Sequence, residues 1–169
     1  MKHKLVSLYS GCGGLDLGLE KAGFSTLYAN DLEPLCKETF KINFPETEFF
    51  SGGVLDFLDY LIIEKEKFPE KFENIDLLAG GPPCPPFSKS RFYRKEKPRG
   101  LNDPKGEETV TAFFDAVSIV KPKAFIFENV AGITFKSNHE ALDFILSKSE
   151  ELGYTYSFKV LNTANFGIP

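Results

Sequence analysis

Apolar positions along this chain fall into two alternating kinds of segment. Short runs rich in β-branched and aromatic residues occur at KLVSLY (4–9), STLYAN (25–30), IDLLAG (75–80), KAFIFEN (123–129) and TYSFKVL (155–161), and each reads as a strand. Between them lie helical patterns. Leu15 to Ala22 follows a glycine turn, Pro34 to Asn43 opens on a proline suited to the first helical position, and Val54 to Lys67 is longer. Glu108 to Val120 puts Val110, Phe113, Phe114, Val117 and Val120 on one face, with Pro122 as a stop. A last helix is expected from Ser137, where Glu140 completes a capping box, to Gly153, which tolerates a left-handed turn. Strands alternating with helices predict an α/β fold, a doubly wound, mostly parallel sheet with helices on both faces. Ligands of such sheets bind at the carboxyl ends of the strands.

The length of 169 residues suits one domain with its own core, and 42% hydrophobic against 26% charged residues is ordinary for a globular protein. No apolar run approaches membrane length, and the amino-terminal stretch meets glycines too early for a signal peptide, so a cytoplasmic location is expected. Three cysteines, Cys12, Cys36 and Cys84, with no CxxC spacing give neither a disulfide framework nor a metal site, and reduced thiols are expected. The net charge of -4 disguises an uneven distribution. Lys89, Arg91, Arg94, Lys95, Lys97 and Arg99 against Glu96 make a local +5, leaving -9 for the rest. With Phe92 and Tyr93 interleaved, this segment reads as one that contacts nucleic-acid phosphates, beside the plainer reading of a solvated polar loop.

Three stretches carry candidate chemistry. SGCGGLDLG leaves the first strand with Gly11, Gly13, Gly14 and Gly18, a turn that lets a ligand approach the backbone, with Gly18 expected to let the helix sit close to the sheet. Asp16 stands where the dinucleotide GxGxxG pattern needs its third glycine, so that pattern is absent. Asp31, ending the second run, is placed to accept hydrogen bonds from ribose hydroxyls, or else to cap the helix ahead of Pro34, a role open equally to Glu33. In GGPPCPPFS, four prolines around Cys84 fix the backbone and exclude any helix or central strand, so the thiol is held in a chosen place. Glu128 closes the run FIFENV on the same sheet edge. An acid there would have a shifted pKa if buried, and a proton donor beside a nucleophilic thiol is one consequence.

LVSLYSGCGGLDLGLEKAGF, YANDLEP, DLLAGGPPCPPFS, FIFENV and LNTANFGIP resemble, in order and spacing, the successive motifs of the carbon-5 cytosine DNA methyltransferases, over nearly the whole chain. The resemblance implies a Rossmann-like S-adenosylmethionine-dependent methyltransferase that modifies cytosine in double-stranded DNA, as in restriction-modification, and leaves S-adenosylhomocysteine as product. It implies that the Cys84 thiolate adds to carbon 6 of a flipped-out cytosine, that Glu128 protonates ring nitrogen N3, and that Asn129 braces the proline loop. Tyr9, in place of the family's usual phenylalanine, Ser10, Gly11, Cys12, Gly13, Gly14, Asp31, Leu32, Val54 and Pro83 are the implied cofactor contacts. Ser88, Lys89, Arg91, Arg94 and Lys95 are the implied DNA contacts, and no metal is expected.

Two departures stand out. Pro85 follows the nucleophile where glutamine is frequent, and Gly53 replaces an acid that often meets the cofactor's adenine, shifting weight to backbone near Val54. In the family LNTANFGIP continues into a target-recognition domain. Residues 1–169 are therefore expected to be the cofactor-binding and catalytic half, incomplete at the C-terminus and weakly active or inactive alone. The missing half would come from a longer parent chain or from a second polypeptide. The alternatives are cytosine methylation of transfer RNA, a non-catalytic cofactor-binding subunit and, disfavoured by the GCGG spacing, a nicotinamide oxidoreductase.

Overall fold

A computed structural model describes residues 2–84 and 104–168. Five strands, β1 (His3–Leu8), β2 (Phe24–Asp31), β3 (Glu48–Ser51), β4 (Leu77–Gly80) and β5 (Ala124–Phe127), form one parallel sheet in the order β3-β2-β1-β4-β5. The helices are α1 (Gly14–Lys21), α2 (Pro34–Asn43), α3 (Val54–Lys67), α4 (Pro69–Phe72), α5 (Pro104–Val120) and α6 (His139–Glu151). Strand order reverses between β1 and β4, which is where open parallel sheets hold their ligands.

The inner strands β1, β2 and β4 are covered on both faces over most of their length, whereas Ala124 and Ile126 of the edge strand β5 are exposed. Val6, Leu8 and Leu78 pack with Phe57 and Leu61 of α3 and with Val110, Phe113, Phe114 and Val117 of α5. Leu5, Leu77 and Ala79 meet Leu15 and Leu19 of α1 on the other face, and Ala29 meets Phe40 of α2. All five residues named for the apolar face of α5 are buried. The helix extends one turn further toward its N-terminus than its apolar periodicity marks. Register then fixes the site: Leu8 lies opposite Asn30 and Gly80, and Gly80 opposite Phe127. The residues that follow them, Tyr9, Asp31, Gly81 and Glu128, therefore emerge side by side along one sheet edge.

One strand was not expected, and three expectations need correction. β3 lies in TEFFS, a stretch too short and too unevenly buried to show alternation. Gly18 faces open space, with nothing within 4 Å of where a Cβ would stand, because Leu15, Asp16 and Leu19 make the contacts of α1 with the sheet. α6 starts at His139 with Asn138 in the cap position. Its end is as expected: Gly153 is left-handed (φ 82°), and its N–H and that of Tyr154 bond the carbonyls of Glu150 and Ser149, a Schellman closure. The alternation over 155–161 gives no strand. Tyr156, Phe158 and Val160 are 45%, 61% and 58% exposed, and among the described residues no ladder forms on the outer edge of β5. Alternation marks a segment able to pair, but a strand exists only when a neighbour accepts it.

Asp16, read as a broken glycine pattern, is a buried structural acid. Its carboxylate accepts from Ser7 Oγ at 3.0 Å and Thr26 Oγ1 at 3.1 Å, joining α1 to β1 and β2. Burial pushes its pKa up, against the opposing pull of the two hydroxyls. A raised folded-state value means the acid's contribution is full below its unfolded pKa and is lost as pH rises through the raised value. Asp16→Asn, which cannot ionise, should therefore gain on the wild type as urea midpoints are measured from pH 4 upward; a difference flat with pH would contradict this. Asp16→Ala strands two buried hydroxyls and should cost about 2 kcal/mol near pH 4, the difference narrowing as pH rises in the same titrations.

Candidate active site

The turn after β1 is held from both ends. Ser10 N–H and Oγ both bond the Asn30 carbonyl, Gly13 N–H bonds the Ser10 carbonyl at 2.9 Å, and Gly11 N–H donates to Asp31 Oδ2 at 2.8 Å. Gly11 (φ 53°) and Gly13 (φ 90°) are left-handed, and a Cβ on Gly13 would lie 2.5 Å from the Phe44 ring. Only glycine fits there. At Gly11 and Gly14 the same test meets open space, so backbone is presented outward for a ligand to approach. Tyr9 is also left-handed (φ 55°), an uncommon state for an aromatic residue. It is anchored by its hydroxyl, which donates to the Thr109 carbonyl at 2.7 Å. Burial, with Glu108 nearby, raises its phenol pKa, so the hydroxyl stays a donor. The hydroxyl that distinguishes Tyr9 from phenylalanine thus ties the end of β1 to the first turns of α5.

Asp31 has both carboxylate oxygens engaged, Oδ2 with Gly11 N–H and Oδ1 with Glu33 N–H at 2.9 Å. The cap of α2 falls to Glu33, whose side chain accepts from Leu35 N–H at 3.5 Å. A carboxylate offers about four acceptor positions, so two bonds leave Asp31 able to accept from a ligand hydroxyl as well. Leu32 beside it is 72% exposed, an apolar surface with no protein cover. Asn30 Nδ2 donates to the Gly52 carbonyl at 2.9 Å, fixing the turn into α3. Val54 is buried at the start of that helix. Asp56, which the sequence reading passed over, places Oδ2 3.2 Å from where a side chain on Gly53 would begin. An acid in the first turn of the helix, three residues after the glycine, was the available signal.

At the ends of β4 and β5 the fit is closer. Pro82 is buried, Pro83 exposed and the free thiol of Cys84 half-buried. Asn129 Nδ2 donates to the Pro82 carbonyl at 3.0 Å, while Asn129 Oδ1 accepts from Val130 N–H at 2.9 Å, so this amide ties the proline segment to the end of β5. Glu128 N–H bonds the Gly80 carbonyl, and a Cβ on Gly81 would stand 2.7 Å from Glu128 Oε2. Gly81 is what lets the carboxylate lie against the strand end that leads to Cys84. Glu128 is exposed, so the burial invoked for this acid from the sequence is not found. Ser88, Lys89, Arg91, Arg94 and Lys95 lie outside the described residues, as does the whole basic segment. Among the described residues no cluster of acids, histidines and cysteines could hold a metal ion, and no helix is long and apolar enough to cross a membrane.

The glycine turn, Asp31 and the cysteine and glutamate ends of β4 and β5 thus share one edge. The model for C-5 cytosine-specific DNA methylases matches residues 3–169. The chain belongs to the C-5 cytosine-specific DNA methylase family. Among curated members of this methylase family, Type II methyltransferase M.AquIA of Picosynechococcus is 37% identical over the full length of this chain and 68% of its own. M.NgoPII of Neisseria gonorrhoeae, also a Type II methyltransferase, is 37% identical over 98% of this chain and 44% of its own. The chain spans about two thirds of the first relative and under half of the second. A prophage-encoded Escherichia coli protein described as a DNA modification methyltransferase superposes on 89% of the chain with TM-score 0.68 and 27% identity, over 38% of its own length. Spodoptera frugiperda DNMT2 shares the fold, with TM-score 0.57 and 22% identity over 89% of this chain and 41% of its own. The five-stranded parallel sheet is thus the Rossmann-like core of a methylase.

Proposed function

We propose that this protein methylates carbon 5 of cytosine in double-stranded DNA, with Cys84 as nucleophile and Glu128 as acid. The observation that carries the proposal is the approach of the Glu128 carboxylate to Gly81, the glycine that begins the segment ending in Cys84. Bound S-adenosylmethionine would supply an electrophilic methyl group. Its site has the character such a ligand needs: open backbone at Gly11 and Gly14, a carboxylate at Asp31 with acceptor capacity to spare, and the uncovered side chain of Leu32. Asp31 would hold the ribose, Leu32 and Tyr9 the adenine, and Ser10, Cys12 and Gly13 the methionine part. Asp56 would supply the carboxylate that Gly53 lacks, next to Val54, and Pro83 would close the pocket.

Carbon 5 of cytosine is too weak a nucleophile to accept a methyl group unaided. Addition of the Cys84 thiolate to carbon 6 pushes electrons onto carbon 5, and a proton held by Glu128 at N3 keeps the ring from accumulating charge. The cytosine must leave the duplex to reach both groups. Asn129 would keep the proline segment, and with it the thiol, in register with Glu128. The basic segment from Ser88 through Lys89, Arg91, Arg94 and Lys95 would contact DNA phosphates. The relatives are longer than this chain, so the activity proposed is that of the whole enzyme.

Titration of S-adenosylmethionine into the protein tests the cofactor half. Asp31→Ala should weaken binding about 10- to 100-fold, the equivalent of hydrogen bonds to a charged group lost along with the brace on Gly11. Asp56→Ala should weaken it about tenfold. Unchanged affinity in Asp31→Ala would remove this pocket from the account.

A further inference from the structure

Cys12 and Cys36 belong to different elements and end side by side, Sγ to Sγ 3.9 Å. Cys12 is exposed in the glycine turn, and Cys36 is half-buried in the first turn of α2. The transfer chemistry above needs no role for Cys36. We propose that these two thiols are a modification site: a hydroperoxide joins them in a reversible disulfide, and the bond shuts the cofactor pocket.

The two sulfurs are close enough to meet by a local shift of the glycine turn. A disulfide requires sulfurs about 2.0 Å apart, so they must close by roughly half their present separation. Cys12 is exposed and Gly11 beside it faces open space, so this part of the turn has room to shift toward α2. The order of events follows from access. The exposed Cys12 sulfur attacks one peroxide oxygen; the O–O bond breaks, an alcohol or water leaves, and Cys12 becomes a sulfenic acid. The Cys36 sulfur then attacks the Cys12 sulfur, its proton departing with the hydroxide as water. Two thiols and one hydroperoxide give one disulfide, one alcohol or water, and one further water; each sulfur loses one electron and the peroxide bond gains two. Burial, contact with Cys12 and the carboxylates of Asp31 and Glu33 push the Cys36 thiol up to about 11, which suits it to follow rather than lead.

The consequence for binding rests on the cofactor reading above; the disulfide itself does not. Gly11 N–H is committed to Asp31 and Gly13 is fixed against Phe44, so drawing Cys12 toward α2 distorts the peptides between two held points. Those peptides are the ones proposed to wrap the methionine part.

The test uses protein carrying Cys84→Ala, so that only two thiols remain, treated with hydrogen peroxide. Digestion and mass spectrometry score a Cys12–Cys36 linked peptide, and calorimetry scores S-adenosylmethionine binding before oxidation, after it, and after dithiothreitol. The expected result is a linked peptide removed by dithiothreitol, with affinity falling at least tenfold on oxidation and returning on reduction. Adding Cys36→Ser should abolish the linked peptide and leave the reduced affinity unchanged. Absence of the linked peptide overturns the proposed site. A linked peptide with undiminished affinity overturns the closure of the pocket. If the reduced protein binds no cofactor, it is the cofactor reading that fails, while the linked peptide still decides the disulfide.

Discussion

Gly81→Ala should lower methyl transfer about a hundredfold or more while shifting the unfolding midpoint by no more than about 3 °C. The added methyl would stand 2.7 Å from Glu128 Oε2, a contact no real Cβ tolerates, yet the atom in the way is the end of a flexible side chain. The carboxylate swings aside and the fold is spared. The neighbouring glycine is the internal comparison. On Gly80 the methyl would meet the Leu8 carbonyl at 2.8 Å and the Phe113 ring at 3.3 Å, backbone and core that cannot move cheaply, so Gly80→Ala should lower stability instead. Glu128→Gln keeps the shape of the acid but not its proton, and should cost about 10² to 10⁴ in turnover. If Glu128 is the proton donor, Gly81→Ala and Glu128→Gln share one phenotype, a fall in kcat at near-normal stability. A fully active Gly81→Ala enzyme would show that the carboxylate does not need its present position.

Local signals were legible in the sequence; long-range ones were not. α2 and α3 occupy the residues expected of them because proline at the first helical position and a repeating apolar face act within the segment itself. The turn after β1 was legible because left-handed backbone calls for glycine, and a parallel sheet follows from alternating strands and helices. Gly18 shows the limit of the same rule. Glycine inside a helix signals close packing only if that face meets the sheet, and the facing residues are Leu15, Asp16 and Leu19. The fit of Glu128 against Gly81, the closeness of Cys12 to Cys36, and the burial of Asp16 beneath Ser7 and Thr26 each join residues brought together only by strand register or helix docking. Residues 155–161 failed for the complementary reason, since alternation describes one partner of a ladder.

The resemblance read from five motifs and the family assignment agree over almost the same residues. Three local features bear on the proposed cofactor site: a tyrosine whose hydroxyl reaches α5, a glycine at position 53 with the carboxylate of Asp56 beside it, and a pair of thiols where the cofactor is proposed to sit.

The central claim is that Cys84 attacks cytosine. Duplex DNA carrying 5-fluorocytosine tests it directly, because fluorine at carbon 5 blocks the elimination that would free the enzyme. The protein is incubated with this DNA and S-adenosylmethionine, with a polypeptide covering the remaining length of its relatives supplied, and run on a denaturing gel. A covalent protein–DNA band that disappears in Cys84→Ser is the predicted result. Binding of cofactor and DNA with no such band, or a band that survives Cys84→Ser, would contradict it.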